Sequence, residues 1–228
     1  MGDIWPRAST SSLTRAFRPV EALRAADDVR DLPNMLAILG LGLLWGGHPD
    51  EAQRIAEEAD RLATRVGYDG AAGNARALAS ATATAMGDWD DMARQARSVL
   101  EAYGRAGPWS FAGFMGLSMA RFYAGDWDKA EQYSLEAFRP DSSETVANFE
   151  RGWRVFLQAY RGDRTWLDDH CRRRSTLFSD GRTPFMGDTL YALLSVPALA
   201  LAQERDEAHR LYPVVLGAIR DGVASTPR

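Results

Sequence analysis

The residues Asp27, Asp28, Val29, Arg30 and Asp31 are the first place to look for chemistry. Carboxylates one helical turn apart can hold magnesium against a diphosphate. That work needs a second metal-binding motif on a facing helix, and the chain offers none. Pro33 follows at once, so the string reads as a solvated helix end with capping acids. His48, His170 and His209 form no His-x-x-x-His pair and read as partly exposed polar residues. His170 and Cys171 are neighbours, about 100° apart on a helix, which makes a poor chelate. Cys171 is the only cysteine, which excludes an internal disulfide and a cysteine-based zinc site. The only lysine, Lys129, follows Asp128 and cannot belong to a phosphate-binding Gly-x-x-x-x-Gly-Lys loop. Neither Gly-x-Gly-x-x-Gly nor Gly-x-Ser-x-Gly occurs. Arg172, Arg173 and Arg174, with Arg161 and Arg164 nearby, are the densest basic cluster. Consecutive positions fan out around a helix, so they read as a solvated face. The expectation is therefore no catalytic set, no metal, no cofactor and no enzyme.

Bulk properties narrow the partners. The 228 residues carry a formal charge of -4, and 46% are hydrophobic. A mildly acidic chain lacks the basic surface that phosphate neutralisation demands, so no direct nucleic-acid binding is expected. Apart from Lys129 all the side-chain positive charge is arginine, a bias that fits a GC-rich genome. The longest apolar run, 35–46, is well short of the ~20 residues that span a bilayer. Residues 1–15 show no apolar signal-peptide core, and Pro6 spoils a myristoylation pattern at Gly2. A cytoplasmic protein is expected.

One short pattern recurs along the chain. It reads Gly46-Gly47-His48-Pro49-Asp50-Glu51-Ala52, then Met86-Gly87-Asp88-Trp89-Asp90-Asp91-Met92, then Ala124-Gly125-Asp126-Trp127-Asp128-Lys129-Ala130. Arg161-Gly162-Asp163-Arg164-Thr165-Trp166-Leu167 is a fourth copy, and Gln203-Glu204-Arg205-Asp206-Glu207-Ala208 a degraded fifth. Aligned on 52, 92, 130, 167 and 208, the intervals are 40, 38, 37 and 41 residues. The glycine can close a helix in the left-handed conformation, and the acid after it can cap the next helix. Each copy is thus the tight turn of a helix hairpin.

The flanks agree with that reading. An apolar stretch precedes each turn, as in 35–45 and 111–123. An amphipathic one follows, as in Ala52, Ile55, Ala56, Ala59, Leu62 and Ala63. Helices are predicted near 32–46, 49–66, 71–86, 89–104, 109–124, 127–138, 142–161, 164–178, 185–202 and 205–220. Gly67 and Gly70, Gly104 with Gly107 and Pro108, Pro140, and Gly181 with Pro184 separate the units. The predicted organisation is an N-terminal extension or partial leading helix over 1–31, interrupted by Pro19. Hairpins near 32–66, 71–104, 109–138, 142–178 and 185–220 form a repeat domain over 32–222, and 223–228 is a tail.

This pattern resembles the tetratricopeptide (TPR) repeat. Leu39-Gly40 leads to Gly47, Ala52 and Ala56. Phe114, Leu117 and Ser118 lead to Gly125-Asp126-Trp127-Asp128-Lys129-Ala130. The period exceeds the usual 34, and Ala96, Ser134 and Cys171 stand where the repeat often has Phe. The form is similar to the helical repeats of bacterial LuxR/MalT-type and SARP-type regulators and ATPase-linked adenylate cyclases. The closing segment 208–216 is like theirs too. The resemblance implies an all-α, right-handed superhelix of about five antiparallel hairpins. It also implies a protein-interaction or regulatory module of a bacterial signalling ATPase or transcriptional regulator, or one derived from it. Trp89 and Trp127 occupy equivalent places and read as packing residues.

In such a stack the first helix of each hairpin lines the concave face. Inward positions would be Asn34, Ala37, Leu41 and Leu44, then Asn74, Ala77, Ala81 and Thr84. The third hairpin would give Ala112, Met115, Met119 and Phe122, and the fourth Phe149, Gly152, Phe156 and Ala159. The candidate partner groove is Leu41, Leu44, Met115, Met119, Phe122, Phe149 and Phe156, suited to a peptide, a helix or an adjoining domain. The same residues read more readily as core shared with the neighbouring hairpin. Two other functions stay open. One is a small-ligand or enzymatic site inside the superhelix. The other is self-association through the last helix, with Leu211, Val214, Val215, Leu216 and Ile219, as a homodimer.

Overall fold

A computed structural model describes residues 10–105, 110–138, 144–177 and 186–220. Among them the chain is all-helical, with no strand. The helices are α1 (Thr10–Ala25), α2 (Leu32–Trp45), α3 (Pro49–Arg65), α4 (Asp69–Met86), α5 (Trp89–Tyr103) and α6 (Ser110–Tyr123). They continue with α7 (Trp127–Ala137), α8 (Glu144–Tyr160), α9 (Leu167–Leu177), α10 (Met186–Leu201) and α11 (Arg205–Arg220). The separators Gly107, Pro108, Pro140, Gly181 and Pro184, and the tail 223–228, lie outside the described residues. The chain divides into two compact units, Met1–Ala137 and Phe138–Arg220.

The five repeat turns share one construction, which the turns at Asp27 and Gly67 also have. Gly47, Gly87, Gly125, Gly162 and Gln203 all have positive φ, between 62° and 83°. The N–H of the next residue reaches back five positions: His48 to Leu43, Asp88 to Ala83, Asp126 to Arg121, Asp163 to Gln158 and Glu204 to Leu199, at 2.8 to 2.9 Å. The left-handed residue itself donates three positions back, at 3.0 to 3.1 Å. This pair of bonds satisfies carbonyls that a helix end leaves over. The degraded fifth copy therefore turns like the others, with a glutamine where glycine is easiest. A left-handed non-glycine residue costs about 1–2 kcal/mol. Gln203→Gly is expected to raise stability by about 1 kcal/mol, read as a higher denaturant midpoint at unchanged slope. A lower midpoint would contradict the turn assignment.

In the second and third turns the acid after the glycine caps the next helix, and in the fourth it holds the turn that precedes α9. An Asp88 carboxylate oxygen accepts the Asp91 N–H at 2.9 Å, and Asp126 accepts the Lys129 N–H at 3.4 Å. Asp163 accepts the Thr165 N–H at 2.8 Å. The side chain of Lys129 holds the Asp126 carboxyl below the usual aspartate range, and the Thr165 backbone N–H does the same for Asp163. Depressed carboxyls favour the folded state above their unfolded value of about 3.9, and the benefit fades as pH falls through the folded value. Carboxyl NMR titration should place both midpoints below about 3.9. Midpoints at or above it would show that these bonds are not made.

In the first unit α1 packs on α2, the pairs α2–α3, α4–α5 and α6–α7 form hairpins, and α2 and α6 both pack on α4. Leu36, Leu39 and Leu43 of α2, Ala52, Ala56 and Ala59 of α3 and Leu78 of α4 form one core. Small residues set the approach. A Cβ on Gly40 would stand 2.2 Å from Leu78 Cδ2, and one on Gly116 would stand 2.8 Å from Ala96 Cβ. Nine residues after each turn glycine stand Ala56, Ala96 and Ser134, all at most 1% exposed. Two hydroxyls repeat as well: Ser80 donates to the Met92 carbonyl at 3.4 Å, Ser118 to the Ala130 carbonyl at 2.6 Å. α1 runs on through Pro19.

In the second unit α8 and α11 pack on α10. Trp153, Tyr191, Leu199 and Leu211 are its large buried side chains. α9 begins at Leu167, later than the turn spacing predicts. Asp163, Arg164, Thr165 and Trp166 fill the extra turn, and the Trp166 indole donates to the Asp163 carbonyl at 2.7 Å. Trp166 and His170 are buried, four and eight residues after Gly162, where Ala52 and Ala56 are buried five and nine after Gly47. The sequence reading of His170 as partly exposed is therefore corrected. His170 is fully buried and Cys171 half-buried. Along α11 Leu211 and Val215 are buried, Val214 and Leu216 half-buried, and Tyr212 and Ile219 exposed.

Candidate functional site

α2, α4 and α6 lie side by side in the first unit, so their matched positions form a row. Leu44, Met115 and Phe122 are buried and belong to the core. Leu41 and Met119 are half-buried, as are Ala77, Ala81 and Thr84 of α4 and Ala112 of α6. Leu41 and Ala81 rest on the α2–α3–α4 core, and Met119 packs against the cluster of Ala83, Met92 and Ala120. The partly exposed surface of the row is therefore leucine, alanine and methionine, with Thr84 as its one hydroxyl among these positions. Phe149 and Phe156 belong to the second unit, and both are half-buried. Phe156 stands between Trp153 and Tyr160, with centroids 5.6 and 6.2 Å away.

A polar chain closes one end of the row. Asn74 donates to Asn34 Oδ1 at 3.1 Å, and Asn34 donates to the Tyr68 hydroxyl at 3.3 Å. The Tyr103 hydroxyl bonds Asn74 Oδ1 at 3.1 Å and also meets the Gly70 carbonyl. Burial pushes the Tyr103 hydroxyl up to about 12, aided by Tyr68 and opposed by Asn74. The hydroxyl stays protonated at neutral pH and serves as a donor.

Among the described residues, two clefts stand out on the first unit. One, of about 610 Å³, lies against the second turn, where Trp89 stacks on Tyr123 at 3.7 Å. Asp88, Asp90, Arg97 and Arg121 give its wall both signs of charge. The other, of about 440 Å³, lies between α1 and α2. Trp89 packs on an aromatic ring, whereas its counterpart Trp127 is 41% exposed.

The second unit buries polar groups of a kind that the first lacks among the described residues: Asn148, Glu150, His170 and Asp188. His170 Nδ1 lies 2.8 Å from the Tyr191 hydroxyl, with the rings stacked 5.7 Å apart. Asn148 donates to Asp188 at 3.0 Å and accepts from Arg151 at 3.1 Å. Burial pushes Tyr191 up to about 12. Asn148–Asp188 ties α8 to α10 and His170–Tyr191 ties α9 to α10, so these bonds can fix how the three helices align, while Arg151 orients Asn148 within α8.

The other sequence candidates resolve locally. An Asp28 carboxylate oxygen accepts the N–H groups of Arg30 and Asp31, at 3.1 Å each, so it shapes the α1–α2 turn. Arg172 and Arg173 pair with Asp169, and Arg164 with Glu204, while the Arg174 side chain lies outside the described residues. His48 and His209 are exposed. Among the described residues no group of three His, Cys, Asp or Glu side chains could hold a metal, and no helix is long and apolar enough to cross a membrane. The sequence reading missed the α1–α2 cleft and the buried polar network. The 40-residue step from Asn34 to Asn74, equal to the hairpin spacing, was the available signal for the asparagine bridge.

No protein-family model matches the chain, and no curated protein is similar to it.

Proposed function

We propose that this chain is a non-enzymatic interaction module built as a TPR-like superhelix. In that reading the row on α2, α4 and α6 takes a peptide, a helix or an adjoining domain. The observation that carries it is the row itself. Leu41, Ala81 and Met119 are half-buried apolar side chains on three helices of which α2 and α6 both pack on α4. Unbranched methionine and small alanine suit an adaptable binding surface. The module would be part of, or derived from, a bacterial signalling ATPase or transcriptional regulator, and would act in the cytoplasm without nucleic acid, metal or cofactor.

Peptides selected against the whole chain by display provide the test. Met119→Asp places a charge in the row and should weaken the selected peptides at least about tenfold. Leu135→Asp, on the exposed side of α7, should leave them unchanged. Phe156→Asp asks whether the second unit contributes. Equal affinity for the Met119 variant, with its circular dichroism intact, would remove the row from consideration.

A further inference from the structure

The cleft between α1 and α2 is walled by Pro19, Ala22 and Leu23 on one side and by Asn34 and Met35 on the other, with Asp31 at its rim. Its surface is mostly apolar, and its volume of about 440 Å³ admits one or two large side chains. Leu23 and Met35 rest on the core behind them, so the floor is supported. Asp31 is the one charged residue among those lining it. Its backbone N–H is bound to Asp28, but its exposed carboxylate makes no hydrogen bond or ion pair among the described residues. Arg24 of α1 is held by Glu58 at 2.7 Å, and Arg30, next to Asp31 in the chain, is exposed and does not line the cleft. Asp27 is exposed in the same turn, and the whole chain carries -4.

We propose that this cleft docks a basic amphipathic peptide, which seats an apolar side chain between Leu23 and Met35 and sets a lysine or arginine on Asp31. Charge decides the occupant. An apolar slot with a single acidic rim favours a cationic segment and penalises an acidic one, whose carboxylate would face Asp31. The Asp-Asp-x-x-Asp string thereby has a role that needs no metal: Asp28 shapes the turn, and Asp31 reads the partner. The claim stands apart from the α2–α4–α6 row, because Met119→Asp should leave it untouched.

The test uses the full chain and three synthetic amphipathic helices of one pattern: leucine with lysine, leucine with glutamate, and serine with lysine. Only the leucine–lysine peptide should bind saturably in calorimetry. Asp31→Lys, a surface change at a position whose side chain caps nothing, should weaken it roughly tenfold and let the leucine–glutamate peptide bind instead. Ala22→Glu, at an exposed wall position, should block the slot and weaken leucine-containing peptides without unfolding α1. Equal binding of the leucine–glutamate peptide to the unaltered chain would overturn the proposal. So would binding of the serine–lysine peptide alone, which would mark bare charge attraction. A concentration-dependent dimer broken by Ala22→Glu would show a second copy in the cleft and overturn it too.

Discussion

Trp153→Ala should lower stability by about 3–5 kcal/mol, the largest loss expected from any single truncation in the second unit. Trp153 is only 2% exposed and lies in the middle of α8, its ring 5.6 Å from Phe156. Removing an indole from such a place forfeits its transfer free energy and leaves a cavity that helices cannot readily collapse. The unit also buries Asn148, Glu150, His170 and Asp188, and a core with polar contents has less apolar burial in reserve. Denaturant unfolding would show the loss as a lower midpoint, and amide exchange should quicken first in α8 and α10. A loss under about 1 kcal/mol would mean that the indole does not fill the core as described.

Leu78→Ala should cost about 2–5 kcal/mol, and its partner explains why the effect is diagnostic. Leu78 is 1% exposed and occupies the space that Gly40 leaves open, so a Cβ on Gly40 would stand 2.2 Å from Leu78 Cδ2. Gly40→Ala alone should cost about 1–3 kcal/mol by overpacking. Together the two changes should cost less than their separate losses combined, since the new methyl enters the cavity made by the truncation. Additive losses would show that α2 and α4 do not meet at this point.

The hairpin spacing was legible in the sequence because its signal is local. Glycine followed by aspartate carries both the left-handed helix end and the next cap, and four copies keep the glycine. The fifth could be placed only by interval, because Gln203 adopts a conformation its side chain does not advertise. The start of α9 came later than the spacing predicts because Asp163 bonds Thr165 in a turn before the helix, and the buried position is His170, with Cys171 half-buried. Groove and core could not be separated along α2 and α6. Those helices are apolar on most faces, so periodicity does not say which face meets solvent. Leu44, Met115 and Phe122 turn inward while Leu41 and Met119 do not, because neighbouring hairpins cover some of the apolar positions on each helix. The pairings His170–Tyr191 and Asn148–Asp188 depend on how separate helices align, which no local spacing encodes.

The central functional claim is that partners bind across α2, α4 and α6. Photo-crosslinking with display-selected peptides tests it most directly, with a photoreactive residue placed singly at 41, 81, 119 and 135. Adducts from 41, 81 and 119, with none from 135, are the predicted result. Adducts from 135 alone, or peptides that bind tightly and crosslink at none of the three row positions, would contradict it.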